Sequence, residues 1–210
     1  MAYILGFFAA DGTMIANNRG AYFIEFHVTD KDIILKIRKV LGSNHKISIR
    51  DRGVKEWKLG YRLQIGSKEM FNDLSLLGFK PNKSKKMEMP EIPTELVRDF
   101  VRGYFDGDGC VYFKKHFRKD RNKYSWVFTT RFTCGTRSFL ESLHNLLDSY
   151  VTGGYITNKQ RGYELVFSKH DSLALYKLMY HTGCQSLYLN RKYRLFNKAI
   201  KTLCGSDMRS

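Results

Sequence analysis

The apolar pattern of this chain begins with two runs of matching length. Tyr3-Ile-Leu-Gly-Phe-Phe-Ala-Ala-Asp-Gly-Thr13 opens the sequence, and Phe100-Val-Arg-Gly-Tyr-Phe-Asp-Gly-Asp-Gly-Cys110 repeats it 97 residues later. Each run reads as a largely buried helix with one internal glycine, closed by Asp-Gly. Between and after them the pattern alternates between periods of two and of 3.6. Asn17-Asn-Arg-Gly20 predicts a hairpin turn leading into a strand with Ile24, Phe26 and Val28 inward and Phe23, Glu25 and His27 outward. Ile33, Ile34, Ile37, Val40 and Leu41 form a helical stripe stopped by Gly42. A second hairpin is expected to turn Ile47 and Ile49 inward, with Leu59, Tyr61, Leu63 and Ile65 on its return strand. A helix over 67–77 ends at Gly78, and Pro90 and Pro93 mark a joint.

The second half repeats this order. Strands over 110–117 and 125–134 flank a basic loop, a helix spans 137–147, strands at 153–156 and 163–167 make the next hairpin, and a helix covers 171–180. The stretch Leu189-Asn-Arg-Lys-Tyr193 stands where Lys80-Pro-Asn-Lys-Ser84 stood in the first half. The fold class is therefore α+β: two pseudo-symmetric αββαββα halves, 1–95 and 96–210, each an antiparallel sheet with one helix-covered and one open face.

The ends of the two runs carry the candidate chemistry. Gly12 and Gly109 are expected in the left-handed position that terminates a helix, which puts Asp11 and Asp108 at helix C-termini. A carboxylate there faces the negative end of the helix dipole, at a cost of roughly 0.3–1 kcal/mol. Two such placements make sense if a cation neutralises them, and a hard divalent ion takes oxygen ligands of this kind. Gly6 and Gly103, each five residues earlier, would let two such helices approach closely. Asp106-Gly-Asp108-Gly could also open a calcium loop, but the remaining ligand positions of that loop, including its Glu, are absent.

Charge narrows the partner. Net charge is +16 and the pI about 9.7, with 43% hydrophobic and 14% aromatic residues. That composition excludes disorder, and the balance points to nucleic acid. No apolar stretch approaches a membrane-spanning length, and the N-terminus lacks a secretory layout, so an intracellular setting is expected. Cys110, Cys134, Cys184 and Cys204 lack zinc-ligand spacing and read as reduced thiols. Residues 1–96 carry 16 Lys and Arg against 11 Asp and Glu, and the remainder 20 against 9, so the second half is the more basic. Two-stranded ribbons fit the DNA major groove. The outward residues predicted to meet DNA are Asn17, Arg19, Glu25, His27, Arg50, Lys58, Arg62 and Gln64 in the first half. In the second they are Tyr112, Lys114, Arg118, Lys123, Arg131, Thr133, Lys159 and Arg161.

The two runs resemble the paired motifs of the LAGLIDADG homing endonucleases in their single-chain form, 4–12 and 101–109 aligning with the nine-residue motif without gaps. The first copy has Ala9 where the motif has its first acidic residue, and the second keeps Asp106 there. The resemblance implies four-stranded saddles of antiparallel sheet, helices on the opposite face, lying along a long asymmetric double-stranded target. It implies a monomer that makes a metal-dependent double-strand break. Asp11 and Asp108 would be the metal ligands, with the carbonyls of Ala10 and Gly107 assisting. Mg²⁺ or Mn²⁺ would serve as cofactor, and Ca²⁺ as a non-catalytic substitute. Basic residues near the metals map to Lys83 and Lys192. The alternative is an intron RNA maturase or a cleavage-inactive DNA-binding relative.

Overall fold

The structure is a computed structural model, and it describes residues 1–51, 53, 58–81, 87–184 and 187–206. The chain divides into two compact units, Met1–Gly107 and Asp108–Ser210.

In the first unit, helix α1 (Ala2–Asp11) runs straight into strand β1 (Gly12–Ala16), which turns into β2 (Tyr22–Val28). Helix α2 (Lys31–Val40), strands β3 (Ile47–Arg50) and β4 (Gly60–Gly66), and helix α3 (Lys68–Leu76) follow. Helix α4 (Val97–Asp108) closes the unit's sequence. The four strands form one antiparallel sheet in the order β1-β2-β4-β3. The turn at 17–20 forms for the predicted reason. Gly20 takes φ 79°, and Asn17 Oδ1 accepts hydrogen bonds from the backbone N–H groups of Arg19 and Ala21 at 3.0 and 2.8 Å. Gly42 and Gly78 end α2 and α3 with φ of 59° and 89°, the left-handed geometry in which a Cβ is penalised. Ser67 caps α3, its hydroxyl accepting from Met70 N–H at 3.1 Å.

The second unit contains β5 (Gly109–Arg118), β6 (Lys123–Cys134), α5 (Arg137–Leu147), β7 (Tyr155–Lys159), β8 (Gly162–Phe167), α6 (Lys169–Met179) and α7 (Asn190–Ser206). Its sheet has the order β5-β6-β8-β7, again all antiparallel. The two sheets thus share one topology, as the internal repeat implied.

Each core lies on the helix-covered side of its sheet. In the first unit Ile24, Phe26, Leu63 and Ile65 meet Phe7 and Phe8 of α1 and Ile33, Ile34 and Ile37 of α2, all buried. Phe8 sets its ring edge-on to Phe26 at 5.5 Å and to Phe79 at 5.6 Å. The second unit buries Phe132, Leu165 and Phe167 against Phe139, Leu140 and Leu143 of α5 and Leu175 of α6.

Four expectations are corrected. Gly12 is extended (φ −83°, ψ 156°) and Gly109 opens β5 without a positive φ, so neither caps its helix in the left-handed region. At Gly12 the reason for glycine is space, because a Cβ would run into the ring of Phe8. The basic loop between the strands expected at 110–117 and 125–134 is shorter than expected: β5 and β6 pair out to Arg118 and Lys123, and only the short turn at 119–122 intervenes, with Asn122 at φ 46°. Cross-strand rings hold this extension, Phe113 stacking on Trp126 at 4.3 Å and Phe117 meeting Tyr124 edge-on at 5.1 Å. Ile49 and Leu59 do not enter the core but are exposed, Ile49 on the short outer strand β3. Finally, Leu189–Tyr193 leads into the helix α7, whose stripe Phe196, Ala199 and Leu203 is buried. The five basic residues Arg191, Lys192, Arg194, Lys198 and Lys201 mask that stripe in the sequence.

Candidate functional site

The site grows from the seam between α1 and α4. These helices touch backbone to backbone, through glycines. A Cβ on Gly6 would collide with the carbonyl oxygen of Phe100 and lie 2.9 Å from Tyr104 N. A Cβ on Gly103 would collide with the carbonyl oxygen of Tyr3 and lie 2.8 Å from Phe7 N. The two contacts are related by the internal repeat, and any side chain at either glycine would force the helices apart.

Towards the C-termini the seam continues through Gly107, where a Cβ would strike the Ala10 methyl and sit 3.4 Å from Asp11 Oδ2. The Asp11 carboxylate thus lies beside the residue that precedes Asp108. Asp11 is the last residue of α1 and Asp108 the last of α4, and both are half-buried. The end of each helix sets a carboxylate next to backbone oxygens, those of Ala10 and Gly107. An all-oxygen donor set of this kind fits a hard divalent cation. Among the described residues no cluster of three or more His, Cys, Asp or Glu side chains could hold a metal ion, so a cation here would draw its remaining ligands from backbone, water or phosphate.

One end of the seam is polar and its repeat-related counterpart is not. Tyr3 donates its hydroxyl to Asp106 Oδ2 at 2.7 Å, with both residues almost fully buried. Arg102, also buried, sets its guanidinium 5.3 Å from the Tyr3 ring and pairs with Asp99 at 2.5 Å. The equivalent positions in the repeat are Phe100 and Ala9, both apolar and buried. Ala9 therefore departs from the motif together with its partner: a phenyl ring needs no acceptor. Either Tyr3→Phe or Asp106→Ala alone should destabilise the protein by about 1–3 kcal/mol, the cost of a buried polar group losing its partner. The double variant rebuilds the apolar pair and should recover part of the summed loss. Urea unfolding of the four proteins measures this, and strict additivity would contradict it.

The open sheet faces hold most of the predicted DNA-facing residues. On the first, Glu25 receives Arg62 Nη2 at 2.5 Å and Gln64 Nε2 at 3.3 Å. His27 lies against Gly60, its Nε2 buried and without a hydrogen-bond partner, as is Arg62 Nε. Arg19, Arg50 and Lys58 are exposed outside or at the ends of strands, and Asn17 spends its side-chain oxygen on the turn.

On the second face, Arg131 stands 5.3 Å over the Tyr112 ring, and Lys114 is 5.8 Å from the same ring. Tyr112 also shares a hydrogen bond of 2.6 Å with His116. Lys114, Arg118 and Lys123 project from the exposed ribbon, and Arg161 holds the β7–β8 turn at φ 72°. Thr133 faces outward on β6 opposite Glu164. Glu164, which sequence reading passed over, binds Lys159 Nζ at 2.7 Å and Arg131 Nη1 at 3.4 Å. Its signal was a single acid at an outward position of an otherwise apolar strand. Lys83 lies outside the described residues. Lys192 is not a surface charge but is buried in the first turn of α7.

Comparison with known proteins agrees with this architecture. The family model described as a LAGLIDADG-like domain matches residues 1–75 and again 95–179. An uncharacterized protein of Methanocaldococcus jannaschii is 25% identical over 115 residues, covering 53% of this chain and 39% of that protein. The DNA-directed RNA polymerase subunit Rpo1C of the same organism is 32% identical over 113 residues, covering 52% of this chain and 12% of the subunit. The chain thus spans well under half the length of these two relatives. Among solved structures, the homing endonuclease I-WcaI bound to its DNA recognition sequence superposes with a TM-score of 0.66 at 15% identity, over 93% of this chain and 84% of that one. The LAGLIDADG homing endonuclease I-LtrWI, bound to target DNA, gives 0.66 at 13% identity over 100% and 92%. Such identities establish likeness of fold.

Proposed function

The chain belongs to the LAGLIDADG-like domain family, whose model matches it in two stretches, and from that premise we propose that it is a site-specific homing endonuclease. In this reading it makes a double-strand break, dependent on Mg²⁺ or Mn²⁺, at a long asymmetric DNA site, in the service of intron or intein mobility. The observation that carries the reading is the seam: two helices pressed together through Gly6 and Gly103, each ending in an aspartate, with Asp11 Oδ2 beside Gly107. Buried helix packing alone gives no reason to place an acid at each dipole-negative end.

When bound, a divalent cation supplies Lewis-acid neutralisation of phosphate charge. Asp11 and Asp108 would hold it, with help from the carbonyls of Ala10 and Gly107. The glycine seam fixes the two carboxylates before substrate arrives, which lowers the cost of assembling the site. In the same reading Lys83 and Lys192 supply the basic groups near the scissile phosphate and the attacking water, Lys192 from its buried place in the first turn of α7. The two halves, 1–95 and 96–210, each present one sheet to the duplex. Because one chain carries both aspartates, a monomer suffices. Net charge of +16 draws the polyanion in, and the basic outward residues hold phosphates that position the protein without reading sequence.

Cleavage of a randomised plasmid library is the test. Linear product is expected with Mg²⁺ or Mn²⁺ and none after chelation by EDTA, whereas duplex binding in Ca²⁺ persists and weakens steeply as salt rises. Salt-dependent binding with no cleavage in either metal would favour the cleavage-inactive or maturase alternative.

A further inference from the structure

The two sheets share a topology but invert one ion pair. In the first, Gly12 faces Phe26, which faces Leu63; in the second, Gly109 faces Phe132, which faces Leu165. Counting from these triplets, Glu25 of β2 corresponds to Arg131 of β6, and Arg62 of β4 to Glu164 of β8. Each sheet thus carries a diagonal ion pair across the same two strands, with the charges exchanged: Glu25 with Arg62 at 2.5 Å, Arg131 with Glu164 at 3.4 Å.

In both pairs the acid is the more sunken member. The side chains of Glu25 and Glu164 are 15% and 12% exposed, against 24% and 34% for Arg62 and Arg131. Each acid also takes a second donor, Gln64 in one case and Lys159 in the other. The carboxylates are therefore occupied, and the guanidinium groups are what the surface presents. A guanidinium tethered along one edge keeps its other N–H groups in a fixed plane, as a bidentate contact to O6 and N7 of guanine requires. Arg131 is held further by the Tyr112 ring and by Thr129, whose hydroxyl accepts from Nε at 3.4 Å.

We propose that Arg62 and Arg131 each read a guanine, one in each arm of the target, and that Glu25 and Glu164 are their positioning residues. The donor sits on the third strand of one sheet order and on the second strand of the other, so exchanging the two charges within a sheet moves its donor to the diagonal position, about 7–8 Å away. This rests on the DNA-binding reading above.

Selection of bound sites from a randomised duplex library by the full-length protein in Ca²⁺ tests it. The wild type should yield one preferred guanine in each arm. Arg62→Gln should erase one preference and Arg131→Gln only the other, each by about ten- to a hundredfold in discrimination. Glu164→Gln should weaken the second preference without changing the preferred base. Exchanging the pair, Glu25→Arg with Arg62→Glu, should move the guanine of that arm to a different base pair. Uniform loss of affinity with an unchanged site would overturn the proposal, as would a guanine that stays in place when the pair is exchanged. Enrichment of no duplex by the wild type would overturn the nuclease reading and this inference together. Thermal melting of each variant separates a lost contact from a lost fold.

Discussion

Asp108→Asn is expected to lower the rate of phosphodiester cleavage by about a thousandfold or more, and Asp11→Asn to do the same. The magnitude follows from the several kcal/mol that a Lewis acid contributes to stabilising charge on a reacting phosphate, at about 1.4 kcal/mol per tenfold in rate. Asparagine keeps the shape of the side chain but offers a neutral oxygen, a much poorer partner for a hard cation. Duplex affinity in Ca²⁺ should change little, because the outward basic residues supply most of the phosphate contacts. Gel quantification of supercoiled, nicked and linear plasmid measures the rate and reports how the aspartates divide the two strands. Accumulation of nicked circles in either single variant would mean that each aspartate serves one strand. Equal loss of both products would mean that they act together. Cleavage by either variant within a few-fold of wild type would remove that aspartate from the site.

The second large effect belongs to the seam. Gly103→Ala places a methyl into the carbonyl oxygen of Tyr3, and Gly6→Ala into that of Phe100. Backbone atoms cannot rotate aside as a side chain does, so the helices must separate. Overpacking of this kind costs about 1–3 kcal/mol and at times more, a fall in Tm of roughly 2–12 °C. Cleavage should drop further than stability explains, because the aspartates ride on the ends of the displaced helices and small misplacements of reacting groups are costly. Gly66→Ala is the control: its Cβ would meet only the Phe23 ring, at an ordinary 3.5 Å, so its melting temperature and cleavage should stay near wild type. A Gly103→Ala protein as stable and active as that control would mean that the two helices are not held at this distance for function.

Most of this seam was legible in the residues. The repeated glycine five positions before each aspartate implied close backbone approach, and the structure places each glycine against a carbonyl of the other helix. The alternation Ile24, Phe26, Val28 marked the buried side of its strand correctly, because a half-buried sheet enforces a period of two. What escaped were features decided by contacts distant in sequence. Gly12 looked like a helix cap, but the ring of Phe8 is what excludes a side chain there. The basic loop read between 117 and 125 narrows to the turn at 119–122, because rings paired across the strands extend the ribbon almost to its end. Ala9 looked like a defect in the motif until the apolar Phe100 appeared at the position equivalent to Tyr3. Glu164 has no meaning in isolation; its role depends on the register that sets it diagonally from Arg131.

Sequencing the ends of DNA cut from a randomised library by wild type and by the Asp11→Asn, Asp108→Asn double variant goes straight to the mechanism. With Mg²⁺ or Mn²⁺ the wild type should leave one narrow set of long, asymmetric sites broken on both strands, and the double variant should leave the same library intact. An uncut library from the wild type in both metals, or the same breaks from the double variant, would contradict the assignment of these two carboxylates to hydrolysis.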